Sequence, residues 1–361
     1  MSLSLFSKPT FVGVDLGHYA VKVMQVERGS DGWKVTKTGS VLTPSGAMRD
    51  GMVSDAAGVA EAIKDAMKQA KISARSAHLS VAGPSVTVRN VRMPQMPEMV
   101  LRKSVRFEAG RYVPNSPEDS YIEFEILGDV GDGQMEVIMV AAPRDMVDSR
   151  IQAMRTAGLD VDSVDIEAFC SYRSLVEANR GINLDAETIA LMDIGYASTK
   201  VSVVSRGSFA MTRTISQGGH VLTDALQKYF RLAYEDAEEG KAQLDVRQLL
   251  EEGKPTENPP LRVIQPHLDD LIRETRRSLN YYQSQQSELG TDPVGWVLLT
   301  GGGAKLQGIA EYMAAKLGLP VYSAGIFDNP RFANASETDF GPGAELSVVT
   351  GLAMRTHVKA A

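Results

Sequence analysis

Only one cysteine, Cys170, occurs among the 361 residues of this chain. A lone thiol excludes an intrachain disulfide and fits a reducing compartment, and its apolar setting, EAFCSYRSLV, predicts a buried, inert side chain rather than a nucleophile. Long hydrophobic runs are also missing: none approaches the roughly 20 residues that a membrane-spanning helix needs. The leader MSLSLFSKP places its one Lys after its apolar residues and has no long apolar region, so it reads as a short tail and not as a signal peptide. An excess of basic charge is absent as well. The formal charge of -7 argues against a nucleic-acid binder, and Arg102-Lys103 and Arg276-Arg277 read as solvated faces. Five histidines are scattered without metal-ligand spacing, which predicts no structural zinc. What remains is ordinary for a folded protein, 43% apolar and 23% charged, in a chain long enough for two domains.

One sentence in this sequence is written twice. FVGVDLGHYAVKV (Phe11 to Val23) and IALMDIGYASTKV (Ile189 to Val201) align without a gap, Asp15 over Asp193, Gly17 over Gly195, Lys22 over Lys200 and Val23 over Val201. Each copy reads as an apolar strand ending in Asp-apolar-Gly, a short polar turn, and a strand whose alternation (Val21, Val23; Val201, Val203) predicts a half-buried surface. Either an old duplication persists for its fold alone, or both hairpins serve one chemistry.

Between the hairpins, Ser54-Asp55 caps a helix with apolar positions Val59, Ile63, Ala66, Met67 and Ala70, and a strand returns near Ala77 to Ala82. From about Ser85 the texture becomes that of a small α+β unit: a strand with Val86 and Val88, a helix through LRKSVRFEAGRY, the strands YIEFEIL and MEVIMVAAP around a glycine-rich turn, and a helix from Arg144 to Ala157 stopped by Gly158. After the second hairpin come a charged helical region (Ala233 to Gly253), an exposed loop GKPTENPP (Gly253 to Pro260) and an amphipathic helix from about Pro266 to Ser287. The strand GWVLLT then enters Gly301-Gly302-Gly303, a helix is expected over Ala304 to Lys316, and another closes the chain near Ala344 to Thr356.

An Asp at a strand end beside a glycine turn puts a carboxylate next to several backbone N–H groups. Those donors can cradle phosphate oxygens, and the carboxylate can hold Mg²⁺ directly or through water. Lys22 is either a point charge for the phosphates or a solvated strand lysine. The triple glycine is a third phosphate- or nucleotide-contacting candidate if it opens a helix. Glu238 and Lys241 either point together toward a ribose or form an exposed intrahelical ion pair.

Taken in order, the Asp-Leu-Gly hairpin, the Asp-Ile-Gly hairpin, Glu238-x-x-Lys241 and Gly301-Gly302-Gly303 resemble the actin-like ATPase fold over nearly the whole chain. That is an α/β fold with two duplicated lobes around a nucleotide cleft. The resemblance implies subdomain 1A over 1–84 and 161–188, an inserted subdomain 1C of the FtsA-like branch over 85–160, 2A over 189–232 and 293–343, 2B over 233–292, and a C-terminal helix over 344–361 returning to 1A. Within that branch, MPQMPEMVLRKSVRFEAGRYVPNSPED and RGSFAMTRTISQGGHVLTDALQKYF are similar to the PilM family of type IV pilus assembly proteins.

The same resemblance implies ATP or ADP with Mg²⁺ between the lobes. Asp15 and Asp193 would lie near the metal and hold it through water; Gly17, His18, Lys22, Gly195, Ser198, Thr199 and Gly218 would contact the phosphates. Glu238 and Lys241 would reach the sugar, Gly301, Gly302 and Gly303 the adenosine, and Glu167 would orient a water. One departure stands out: His18 and Ala20 occupy positions where relatives offer Ser or Thr, which implies weakened phosphate contacts and slow or absent turnover. The implied role is a cytoplasmic scaffold, held at the inner face of the membrane through partners, that supports pilus biogenesis and twitching motility. Its implied partners are the N-terminal cytoplasmic peptide of a PilN-like bitopic membrane protein in a 1A/1C groove, other platform proteins, motor ATPases and further copies of itself, with no nucleic acid. Two alternatives compete. Against an FtsA-like division filament, LAMRTHVKAA follows a core-like helix with no amphipathic anchor; against a small-molecule kinase, no stretch reads like a catalytic-base signature.

Overall fold

Tight turns fix the register of both hairpins. Phe11–Leu16 pairs antiparallel with Ala20–Arg28, setting Asp15 opposite Lys22, and Thr188–Ile194 pairs antiparallel with Thr199–Ser205, setting Asp193 opposite Lys200. The structure is a computed structural model that describes residues 11–113, 116–179, 181–183, 186–250, 258–286, 292–336 and 339–355. The chain divides into two units, one of residues 1–82, 144–179 and 326–361, the other of 83–143 and 180–325. The expected N-terminal tail lies outside the described residues, as do 253–257 of the expected loop.

In the first unit the hairpin sits inside a six-stranded sheet ordered Asp160–Ile166, Ser76–Val81, Phe11–Leu16, Ala20–Arg28, Trp33–Leu42, Phe332–Asn334. Helix Ala56–Gln69 starts where the Asp55 carboxylate accepts the Gly58 N–H at 3.0 Å, and buries Val59, Ala60, Ala62, Ile63, Ala66 and Met67. Fully burying side chains of the Val59 and Ile63 kind contributes about 1.5–3 kcal/mol each. Helix Ser347–Met354 has every residue buried. It approaches so closely that a Cβ on Gly13 would meet the Ala353 nitrogen at 2.6 Å, and one on Gly351 the Cys170 carbonyl at 2.0 Å.

The half-buried alternation expected for the second hairpin strands is therefore not what forms. Val21, Val23 and Met24 are all buried, as are Val201, Ser202, Val203 and Val204, because these are interior strands of their sheets with cover on both faces. Cys170 is buried with Val348 and Leu352, and burial pushes its thiol well above the ordinary range. The expected result is that the native protein at pH 8 does not react with Ellman's reagent, whereas the denatured chain releases about one equivalent; rapid native labelling would contradict this burial.

The second unit repeats the plan: a five-stranded sheet ordered Ser208–Ile215, Thr199–Ser205, Thr188–Ile194, Trp296–Thr300, Val321–Ser323. In both sheets three antiparallel strands are followed, beside the first of them, by two parallel ones. A three-stranded sheet, Thr87–Pro94, Gln134–Pro143 and Ser120–Gly131, carries helix Glu98–Ala109 and its own core of Val91, Met93, Leu101, Val105 and Val137. Asn90 ties it to the larger sheet by donating to the Phe209 carbonyl at 3.1 Å.

Four expected elements differ. The amphipathic helix begins at Pro259, not near Pro266, and runs to Gln286. Proline at a helix start costs no hydrogen bond, and fully buried Leu261 and Ile264 hold the extra turns in the core despite Pro266 inside the helix. The charged region is a helix over Tyr234–Ala242 followed by a 3-10 turn at Val246–Leu250. The triple glycine opens no α-helix: a 3-10 turn, Gly302–Lys305, precedes a helix that starts at Ile309. The closing helix starts later than expected, at Ser347 after a 3-10 turn at Ala344–Leu346, and its expected last residue, Thr356, lies outside the described residues. No helix among the described residues is long and apolar enough to cross a membrane.

Candidate functional site

Asp15 and Lys22 face each other because a four-residue-wide hairpin turn puts them in cross-strand register, and Lys22 Nζ lies 3.0 Å from Asp15 Oδ2. In the second unit the same step gives Lys200 Nζ 3.3 Å from Asp193 Oδ2. Both pairs are largely buried, with the lysines 16% and 11% exposed. Lys22 is thus no solvated strand lysine; it neutralises the carboxylate at the hairpin mouth. Lys200 is a site residue that motif reasoning passed over, although the alignment of the two hairpins already placed it over Lys22.

The glycines of the turns follow from the same close quarters. A Cβ on Gly17 would sit 2.8 Å from the Ala20 carbonyl and 3.7 Å from Lys22 Nζ; on Gly195 it would sit 3.0 Å from the Ser198 carbonyl and 3.8 Å from Lys200 Nζ. Each turn therefore keeps its backbone open beside a lysine ammonium. His18 is half-buried and Tyr19 exposed at the first turn, and the Thr43 hydroxyl donates to the Gly17 carbonyl at 2.7 Å.

In the second unit most of the expected residues converge. Gly195 N–H donates to the Ser198 carbonyl at 3.0 Å, and Gly219 N–H to the Gly195 carbonyl at 2.9 Å. Gly218 packs so tightly that a Cβ would meet the Tyr196 carbonyl at 2.3 Å. Thr199 turns its hydroxyl inward, donating to the Gln217 carbonyl at 2.7 Å. A Cβ on Gly301 would lie 2.2 Å from Asp193 Oδ1, and one on Gly303 2.2 Å from Ile194 Cγ2, whereas Gly302 is exposed with nothing within 4 Å. Two of the three glycines thus serve backbone packing against the hairpin, and one faces open space.

Glu238 and Lys241 do form an ion pair, 2.7 Å at its shortest, but it is not a freely exposed one. Lys241 also donates to Thr223 Oγ1 at 2.8 Å, and the Thr223 hydroxyl donates to Glu238 Oε2 at 2.5 Å. Lys241 further reaches the Gly219 carbonyl at 3.4 Å, so the pair stands beside the turn that receives Gly195. Thr223 gave no signal in the sequence because its role depends on two helices meeting.

Glu167 is buried at the start of a helix, and its carboxylate lies 3.9 Å from the Arg150 guanidinium. Arg150 is 1% exposed and donates to the carbonyls of Gly51 and Ser80, each at 2.7 Å. Burial works against its charge, while Glu167 and Asp15 favour it, which places this guanidinium within the field of both carboxylates. Its signal was present: Met146, Val147, Arg150, Ala153 and Met154 share one helix face, so an arginine stands in an apolar stripe. A single carboxylate beside an ammonium, as at each hairpin, would suit a small hard cation held through water, since Mg²⁺ keeps most of its hydration shell.

A model of the family described as type IV pilus assembly protein PilM matches residues 13–357. Among solved structures, the chain is similar to the PilM-PilN type IV pilus biogenesis complex, with 27% identity and a TM-score of 0.82 over 96% of this chain and 98% of that one. MreB 5 of Spiroplasma citri bound to AMPPNP matches at 13% identity and a TM-score of 0.50 over 96% of this chain and 95% of that one. The cell division protein FtsA of Pseudomonas aeruginosa is 24% identical, over 90% of this chain and 86% of its own length. The fold is the α/β actin-like ATPase fold, as the hairpins and glycine motifs implied.

Proposed function

The chain belongs to the family of type IV pilus assembly proteins PilM, and from that premise we propose that it is a nucleotide-binding scaffold which engages a PilN-like membrane partner. Its part in type IV pilus assembly comes with the family. The observation that carries the nucleotide reading is the repeated Asp–Lys pair at the mouth of a glycine turn, Asp15 with Lys22 and Asp193 with Lys200. A carboxylate and an ammonium side by side suit a magnesium–phosphate ligand, because the carboxylate takes the hydrated metal while the lysine and turn N–H groups take phosphate oxygens.

In this reading Gly17, His18 and Lys22 belong to the phosphate-binding turn of the first unit, and Gly195, Ser198, Thr199 and Gly218 to that of the second. Glu238 and Lys241 exchange part of their mutual pairing for ribose hydroxyls, exposed Gly302 lies toward the base, and Glu167 orients water. A bound magnesium ion would supply charge neutralisation at the phosphates. His18 and Ala20 offer no hydroxyl of the Ser or Thr kind, which favours binding over rapid turnover. The AMPPNP held by MreB 5 in the same fold supports the class of ligand.

The partner reading rests on the likeness to the PilM-PilN complex. A PilN-like protein would hold the chain at the inner face of the cytoplasmic membrane, in the neighbourhood of other platform proteins and motor ATPases, and so support twitching motility. The test is calorimetric titration of the full chain with a synthetic peptide from the N-terminus of the PilN-like protein of the same genome, with and without Mg-ATP. The expected result is saturable binding of about micromolar Kd, roughly -8 kcal/mol. No heat in either state would sink the partner reading and leave the nucleotide reading standing.

A further inference from the structure

Helix Glu98–Ala109 is apolar on two sides. Leu101, Val105 and Ala109, 0%, 2% and 0% exposed, pack down on the three-stranded sheet. The opposite side of such a helix ordinarily carries polar residues. Here Met99 is 80% exposed, Phe107 75% and Val100 50%. Met99, Lys103 and Phe107 are spaced i, i+4 and i+8, so they form one ridge about 12 Å long with a lysine at its centre.

Charge favours one kind of occupant. Four cations and two acids lie between Glu98 and Val113 in a chain whose net charge is -7. Arg102 is held by Glu98 and Glu123, at 3.3 and 3.2 Å, and Arg111 by Glu108 at 2.9 Å. Lys103 on the ridge and Arg106 beside it are exposed, and Arg111 and exposed Tyr112 follow the helix end. Pairing this ridge with its own copy face to face would oppose like charges. Peptides are gripped in concave grooves, whereas side chains exposed this far stand on a convex ridge. A convex line of Met, Lys and Phe, flanked by cations and followed by a tyrosine, suits a fluid anionic interface into which apolar side chains can sink.

We propose that this ridge docks on the anionic surface of a lipid bilayer, with Met99, Val100 and Phe107 entering the headgroup region while Lys103 and Arg106 meet lipid phosphates. The contact goes beyond the nucleotide and partner readings; the binding itself needs neither, and only its role as a second signal rests on the partner reading. One short ridge gives weak, reversible binding, so it acts as a second signal that orients a protein already brought to the membrane.

The test is co-sedimentation of the full chain, without partner or nucleotide, with vesicles of phosphatidylcholine alone and of phosphatidylcholine mixed with phosphatidylglycerol. Binding is expected only to the anionic vesicles and should weaken as ionic strength rises. The M99S/F107S and K103E/R106E double variants should each lower the partition coefficient by roughly tenfold or more, with unchanged melting temperature because all four side chains face solvent. Failure of the wild-type chain to bind phosphatidylglycerol vesicles overturns the proposal, as does wild-type binding by both variants. It is equally overturned if these substitutions dissociate a dimer, or abolish binding to an acidic protein partner, and leave vesicle sedimentation unaltered.

Discussion

Asp15→Ala and Asp193→Ala each lower the affinity for Mg-ATP by about ten- to a hundredfold, roughly 1.4–2.7 kcal/mol, and neither weakens the binding of ATP in excess chelator. The sign of the second half follows from electrostatics. A carboxylate helps a phosphate ligand only through the metal; without metal it repels the phosphates, and its removal releases Lys22 or Lys200 from a 3.0 or 3.3 Å ion pair to meet them. Asp→Asn variants separate this effect from packing, since they keep the volume and lose the charge. Isothermal titration at fixed magnesium, repeated in chelator, makes the measurement. If both Ala variants kept wild-type affinity for Mg-ATP, the two-hairpin reading would be wrong. If the wild-type chain itself bound no nucleotide, the scaffold role would stand without one.

Gly301→Ala is expected to be the most damaging single methyl group in the second unit. The glycine has φ +88°, and a Cβ there would sit 2.2 Å from Asp193 Oδ1 and 2.6 Å from the Ile194 carbonyl. Strand Trp296–Thr300 runs parallel to Thr188–Ile194 with Thr300 level with Asp193, so the chain leaves the sheet directly against the carboxylate. Neither a backbone carbonyl nor an ion-paired carboxylate can yield cheaply. A loss of about 3 kcal/mol or more follows from overpacking and backbone strain together, which lowers the melting temperature by about 6–12 °C. Gly302→Ala, one residue on, meets nothing within 4 Å, and should shift it by no more than about 1 °C. Thermal melts of the two variants without ligand decide the matter: equal destabilisation would contradict the packing account. Because Gly302 is exposed, its variant is also the clean probe of base contact, with any loss of affinity free of a stability effect.

Much of the site could be read from local pattern. Asp15 and Lys22 are seven residues apart across a tight turn, and strand pairing over so short a loop leaves one register, so their meeting is a property of thirteen consecutive residues. The duplication transferred that conclusion to Asp193 and Lys200. The ordered motifs likewise carried the fold, because each is a local strand-to-turn signal. Helix boundaries were read less well where a 3-10 turn replaced an α-helix start at Gly302–Lys305 and where Leu261 and Ile264 drew the long helix past two prolines into the core.

Other features depend on segments far apart in the chain. Helix Ser347–Met354 turns the first hairpin from a half-buried surface into a core, from more than 300 positions away. Arg150 meets Gly51, Ser80 and Glu167, and Thr223 joins Glu238 to Lys241, only because separate elements pack together. The helix Glu98–Ala109 is the clearest case. With apolar residues on both faces, its sequence alone leaves open which side goes down; packing on the sheet chose Leu101, Val105 and Ala109 and left Met99 and Phe107 outside. Short-range hydrogen bonding and strand register are written in neighbouring residues, whereas the burial of a face is decided by whatever distant surface fits it best, and that the tertiary structure alone determined.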